Sequence, residues 1–221
     1  AAVRAGSTVP DDIRLIDMNG NVVHSWTVPP TLNKRSRLLP NGHLLYAGPN
    51  QTIFEYDWDG NIVWTHEGIG SINDLRWLPN NNRLLIAHQA MPDEFQNQVR
   101  DVEIAPWWPP RKRGSEEHQR SADIYEVTPA GEIVWEWHAY NHLDLNKFSP
   151  ATPEGDWLHV NSIAPLPENK WFDMGDRRFR PGNILVNARN LDMIYLVDKE
   201  TKAVVWEVTH TYKGGMSHSH E

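Results

Sequence analysis

IFEYDWDGNIVW, residues 53–64, and IYEVTPAGEIVW, residues 124–135, are two copies of one pattern: an apolar strand, a polar turn closed by glycine, a second apolar strand and a tryptophan. Two more copies flank them. Ile13–Trp26 contains RLIDMNGNVVHSW, and Ile194–Trp206 reads IYLVDKETKAVVW with Lys202 at the glycine position. Apolar and polar residues alternate through Thr52–Tyr56 and Asn61–Trp64, the period of a half-buried strand. No segment holds a 3.6-residue period for three turns, which removes a helical fold. A hairpin recurring along a chain is a repeated supersecondary unit, so the fold is an array of small sheets.

A second motif alternates with the first. Leu39-Pro40-Asn41-Gly42-His43-Leu44-Leu45 reads as strand, tight turn, strand. Leu78–Leu85 repeats it with one extra residue, and Arg180-Pro181-Gly182-Asn183-Ile184-Leu185 is a third version. Asn-Gly and Gly-Asn supply the positive φ that short hairpins need. One unit is then four antiparallel strands in about 40 residues, the size of a propeller blade. Gly20 and Gly60 stand 40 residues apart, whereas Gly60 to Gly131 and Gly131 to Lys202 are each 71. The excess reads as loop insertions at about 89–122, 139–156 and 168–179,. The expectation is an all-β, single-domain β-propeller over residues 1–221, with about four blades and the start of another. The chain reaches Glu221 where a further inner strand is due, which reads as an incomplete propeller or one completed by a second chain or self-association.

Composition narrows the function. The chain has 221 residues and a formal charge of −8, which argues against nucleic acid as the main partner,. It has no cysteine, hence no disulfide framework or thiol chemistry, and no apolar run approaches a membrane span,. Eleven tryptophans suit a β-rich protein with aromatic-lined clefts,.

The innermost strand of each propeller blade lines the central channel, and polar residues at the same place in successive blades converge there. The inner segments read as Ser71–Asp74, His159–Ser162 and His218–Glu221. Counted back from Pro79 and Pro167, Asn73 and Asn161 fall at the same place. Alternation puts His159 and Asn161 on one face, and His218 and His220 on another shared face. Arg189, after the strand Asn183–Ala188, is expected beside the same mouth. Imidazoles, amides and a guanidinium suit an oxyanion such as sulfate or carboxylate. The bland readings are a polar strand start for His159 and Asn161, a salt bridge for Arg189, and a weak metal-binding or frayed tail for His218 and His220. His138, His142 and Asp144 match no metal-site template. Trp107-Trp108 suits a cover for an aromatic substrate or packing of the insertion. Trp64, Trp135 and Trp206 read as packing between blades.

Asp156-Trp157-Leu158-His159-Val160-Asn161-Ser162-Ile163, followed by Asn183-Ile184-Leu185-Val186-Asn187-Ala188-Arg189-Asn190, resembles the bacterial PAPS-independent arylsulfotransferases. Their pattern is D-W-x-H-x-N-S, then an apolar strand ending in S/A-R, then strand, acidic turn and V-x-W. The resemblance implies a six-bladed propeller with its site in the central channel. It also implies transfer of a sulfuryl group from a phenolic sulfate to a phenol through a sulfo-histidine, without cofactor or metal, in the periplasm or outside the cell. His159, Asn161 and Arg189 match the sulfate-holding residues. His220, and next His218, fit the place of the nucleophile. Asn73 stands where the family commonly has a histidine before aspartate, so it is included among the substrate-binding candidates. Two other functions fit the same fold: a polysaccharide lyase or hydrolase on acidic sugars, with Tyr140 as a candidate base, and a non-catalytic binding or scaffold propeller.

Overall fold

In the computed structural model of the chain, residues 11–31, 35–96, 98, 120–146 and 157–209 are described. Strands β1 (Asp11–Ile16) and β2 (Val22–Val28) form a two-stranded sheet. Strands β3 (Arg35–Leu38), β4 (Leu44–Ala47), β5 (Ile53–Tyr56) and β6 (Ile62–His66) form a four-stranded sheet in chain order. A second such sheet holds β7 (Ser71–Trp77), β8 (Arg83–Ala90), β9 (Arg120–Val127) and β10 (Ile133–His138). The third holds β11 (Val160–Pro165), β12 (Ile184–Ala188), β13 (Met193–Val197) and β14 (Val204–Val208). All neighbouring strands run antiparallel.

The chain is thus an all-β propeller of four-stranded antiparallel blades. The four hairpin repeats, three with a glycine turn, are the outer hairpins, and the three Pro-Asn-Gly-type motifs are the inner ones. Where the sequence suggested about four blades and the start of another, the described residues hold three four-stranded blades and one outer hairpin. That first hairpin, β1–β2, has no inner hairpin beside it among the described residues, and His218–Glu221 lies outside them. Strands β8 and β9 pair as far as Ala90↔Arg120, so the insertion between them spans 91–119 rather than 89–122. It begins with α1 (Asp93–Gln96), and α2 (Lys170–Asp173) lies in the insertion at 168–179. No helix among the described residues is long and apolar enough to cross a membrane.

The turns behave as their residues require. Gly20, Gly60 and Gly131 each sit near φ +85°, and Lys202 adopts φ +61° at the fourth turn. The Asp17 carboxylate accepts from the Asn19 and Asn21 amides at 2.8 and 2.9 Å, and Asp57 accepts from Asn61 at 2.8 Å. Hydrogen bonds led by the Asn21 and Asn61 side chains hold both carboxyls below their usual range.

The blades pack face to face, so the core lies between sheets. β7 packs against β3 on one side and β11 on the other, which makes these first strands the inner ring. Leu84, Ile86 and Ile124 of the second four-stranded blade meet Ile163, Val186 and Tyr195 of the third in one apolar cluster. Leu45, Ile53, Leu75 and Leu85 form the equivalent cluster one blade earlier. Tryptophans of the outer strands fasten each blade to the next. Trp26 donates its indole N–H to the Asp57 carbonyl (2.8 Å), Trp64 to Pro129 (3.0 Å), and Trp135 to Lys199 (2.9 Å). Buried glutamates repeat the device: Arg83 reaches back to Glu55, and Lys199 to Glu126.

Candidate active site

His159 and Arg189 meet where β11 begins and β12 ends. Val160 pairs with Ala188, the Arg189 amide donates to the His159 carbonyl (3.3 Å), and the Asn190 amide donates to Leu158 (3.0 Å). Trp157, Leu158 and Val160 are fully buried around His159 and anchor that turn. His159 itself is half-buried and adopts φ +43°. A non-glycine residue in the left-handed region costs about 1–2 kcal/mol and persists where its surroundings enforce it. Arg189 is also half-buried, and its Nε is a buried donor with no hydrogen-bond partner among the described residues. A buried unsatisfied donor on a permanent cation is suited to an anionic ligand.

The simple alternation of His159-Val160-Asn161 does not hold. The register shifts between Val160 and Ser162, so Asn161 is the extra residue of a β-bulge,. Asn73 is the extra residue of the matching bulge in β7, where Ile72 pairs with Ala87 and Asp74 with Ile86. The equivalence of the two asparagines therefore has a structural cause, because each is the extra residue where the inner strand bends. Both side chains are buried. Asn73 donates its amide to the Val160 carbonyl at 2.5 Å, which ties it to the residue after His159.

Asp74 is the hub of the inner ring. Its carboxylate accepts from Arg37 of β3 (3.2 Å), from the Leu75 amide (2.9 Å) and from the Ile163 amide of β11 (3.1 Å), and it pairs with Arg76 (2.9 Å). Arg76 in turn donates to the Ile163 carbonyl (2.6 Å). One buried carboxylate thus joins three blades.

His138 and Tyr140 belong to another cluster. His138 Nδ1 lies 3.0 Å from the buried Asp123 carboxylate, an ion-pair contact without hydrogen-bond alignment, and Ser121 donates to the same carboxylate (2.8 Å). The Asp123 carboxylate raises the His138 imidazole above its usual range. Tyr140 stacks on His138 at 5.3 Å, and burial raises its phenol, which disfavours it as a base. His142 stacks on Trp137 at 5.1 Å and lines a cavity of about 330 Å³ with Asp144 and Trp206. Among the described residues no group of three or more His, Asp or Glu is placed to hold a metal ion.

Residues 107–217, half of the chain, match the sequence model of the arylsulfotransferase (ASST) family. The chain belongs to this family. No curated protein matches it. Among solved structures, it is similar to a protein of unknown function from Bacteroides caccae, with 14% identity and a TM-score of 0.50. That match covers 92% of this chain and 56% of the other. The Dos1 propeller is also similar, with 11% identity and a TM-score of 0.42 over 90% of this chain and 42% of its own. The chain therefore spans about half the length of these two structures.

The arylsulfotransferase-like motif from Trp157 to Ser162 and the strand leading to Arg189 both lie within the matched segment. The structure brings His159, Asn161, Arg189 and Asn73 to the same end of the inner strands. His218, His220 and Trp107-Trp108 lie outside the described residues. Sequence reading missed His88, whose ring centre stands 5.7 Å from that of His159, edge to face. The available signal was Ala87-His88, paired in β8 with the start of β7, set against Ala188-Arg189 at the end of β12.

Proposed function

We propose that this arylsulfotransferase-family chain transfers a sulfuryl group from a phenolic sulfate to a phenol through a sulfo-histidine. The single observation that carries the reading is the meeting of His159 and Arg189. A strained histidine is bonded through its carbonyl to the amide of an arginine whose Nε lacks a partner among the described residues. Imidazole and guanidinium donors of this kind suit the oxygens of a sulfuryl group as charge builds on them.

In the first step a nitrogen of His220 attacks sulfur, the N–S bond forms, and the S–O bond to the phenolate breaks. In the second step the acceptor phenol gives up its proton to solvent, where the displaced phenolate takes one up, the phenol oxygen attacks sulfur, and the N–S bond breaks to restore His220. His159, Asn161 and Arg189 hold the three non-bridging oxygens throughout. Asn73 acts as a positioning residue, because its amide fixes the start of β11. His218 is the next candidate nucleophile.

Transfer from p-nitrophenyl sulfate to phenol by the full chain tests this reading. The expected result is ping-pong kinetics and loss of transfer in His220→Ala, with His218→Ala retaining it. Transfer by His220→Ala at the wild-type rate would overturn the nucleophile assignment. Release of unsaturated oligosaccharides from uronate polymers, without sulfuryl transfer, would favour a lyase.

A further inference from the structure

We infer that His88 is a second imidazole of the anion site, contacting the same oxyanion as His159 from the neighbouring blade. The inference rests on the sulfuryl-transfer reading for the identity of the anion. Its geometry comes from two observations that owe nothing to that reading.

The first observation is register. Matching the two bulges aligns Ile72↔Ala87 of β7–β8 with Val160↔Ala188 of β11–β12. The residue after Ala87 then takes the place of the residue after Ala188. His88 is, in its own blade, what Arg189 is in the next. Ser71, its backbone partner, takes the place of His159. The second observation is contact across the blade boundary. Although 71 residues separate them in the chain, the His88 and His159 rings lie 5.7 Å apart at an interplanar angle of 68°.

His88 faces the third four-stranded blade rather than the first. It pairs with Ala122 across β9, and Ala122 belongs to the apolar cluster shared with Val160 and Val186. Its neighbours Ala87 and Gln89 point the other way, Gln89 donating to Ile69 and Tyr125. Both imidazoles are half-buried and so partly withdrawn from water, which strengthens charged contacts,. The third basic group at this strand end is Arg189. A guanidinium at the same strand end as two imidazoles suits a tetrahedral anion and disfavours a metal cation. Asp74, the inner-ring carboxylate, is already engaged by Arg37 and Arg76.

The test uses the full chain and inorganic sulfate, read by imidazole ring resonances in NMR. The His88 and His159 resonances should shift together along one binding curve. His43, in the hairpin turn at the opposite end of its blade, should stay in place. In His88→Gln the sulfate affinity read at His159 should fall about ten-fold, as should kcat/KM for p-nitrophenyl sulfate. A shift at His159 alone, with unchanged affinity in His88→Gln, overturns the inference and leaves the transfer reading standing. Joint shifts in a wild-type chain that transfers no sulfuryl group support the paired site and overturn the transfer reading. Silence of both rings overturns the inference. The wild-type titration decides these outcomes even if the variant folds poorly.

Discussion

His159 carries a cost that its neighbours enforce. Its φ of +43° belongs to a region where an L-residue crowds its own carbonyl, while Trp157, Leu158 and Val160 are buried on either side,. The chain cannot relax there without disturbing the apolar cluster between blades. Such strain is expected where a side chain must be aimed at a ligand. Replacing His159 with glycine removes the conflict and the imidazole together. The expected outcome is a protein more stable by about 1 kcal/mol in urea unfolding, with sulfuryl transfer lost. Lower stability in His159→Gly would mean that the ring, through its contact with His88, contributes more than the backbone strain costs.

The blade hairpin is the element in which sequence and structure agree most closely. The repeat places glycine at the turn three times, and each adopts φ near +85°. At the fourth turn Lys202 takes φ +61° instead, and its amide donates to Asp198 at 2.8 Å. Its carbonyl accepts the Trp137 indole N–H (2.9 Å), a bond that glycine would keep. The ammonium group lies 5.8 Å from the Trp135 ring, a contact worth about 0.5 kcal/mol at an exposed site,. Removing the left-handed strain outweighs losing that contact. Lys202→Gly should therefore raise stability by about 0.5–1 kcal/mol, seen as a higher thermal midpoint. A fall in that midpoint would show that the Trp135 contact dominates. The inner hairpins were equally visible through their Pro, Gly and Asn turns. The bulges at Asn73 and Asn161 were not, because counting from a proline gives a position but not the pairing partner across the strand.

At the scale of the molecule, the blades are held by a few repeated fasteners. Tryptophan indoles and buried Glu–cation pairs join them near the outer turns, and Asp74 joins them at the inner ring. Asp74→Asn tests the inner fastener. It removes a buried negative charge and takes the Asp74 carboxylate away from Arg76, which is in a largely buried position. Losing one partner of a buried pair costs about 3–5 kcal/mol, reduced here because Arg37 is more exposed,. A loss of about 2–4 kcal/mol in urea unfolding, with an unchanged m-value, is expected. A loss below about 0.5 kcal/mol would place Asp74 among the surface charges. The sequence by itself determined the hairpin period, the four-stranded blade, the tryptophan staples and the strand ends that carry His159, Asn161 and Arg189. These follow from local patterns, since alternation and turn chemistry act within a dozen residues. Only the tertiary structure decided that Asp74 binds three blades, that His159 is strained, and that His88 faces His159. Those features depend on contacts between blades more than 30 residues apart in the chain, and on bulges that shift the faces an alternating pattern would assign.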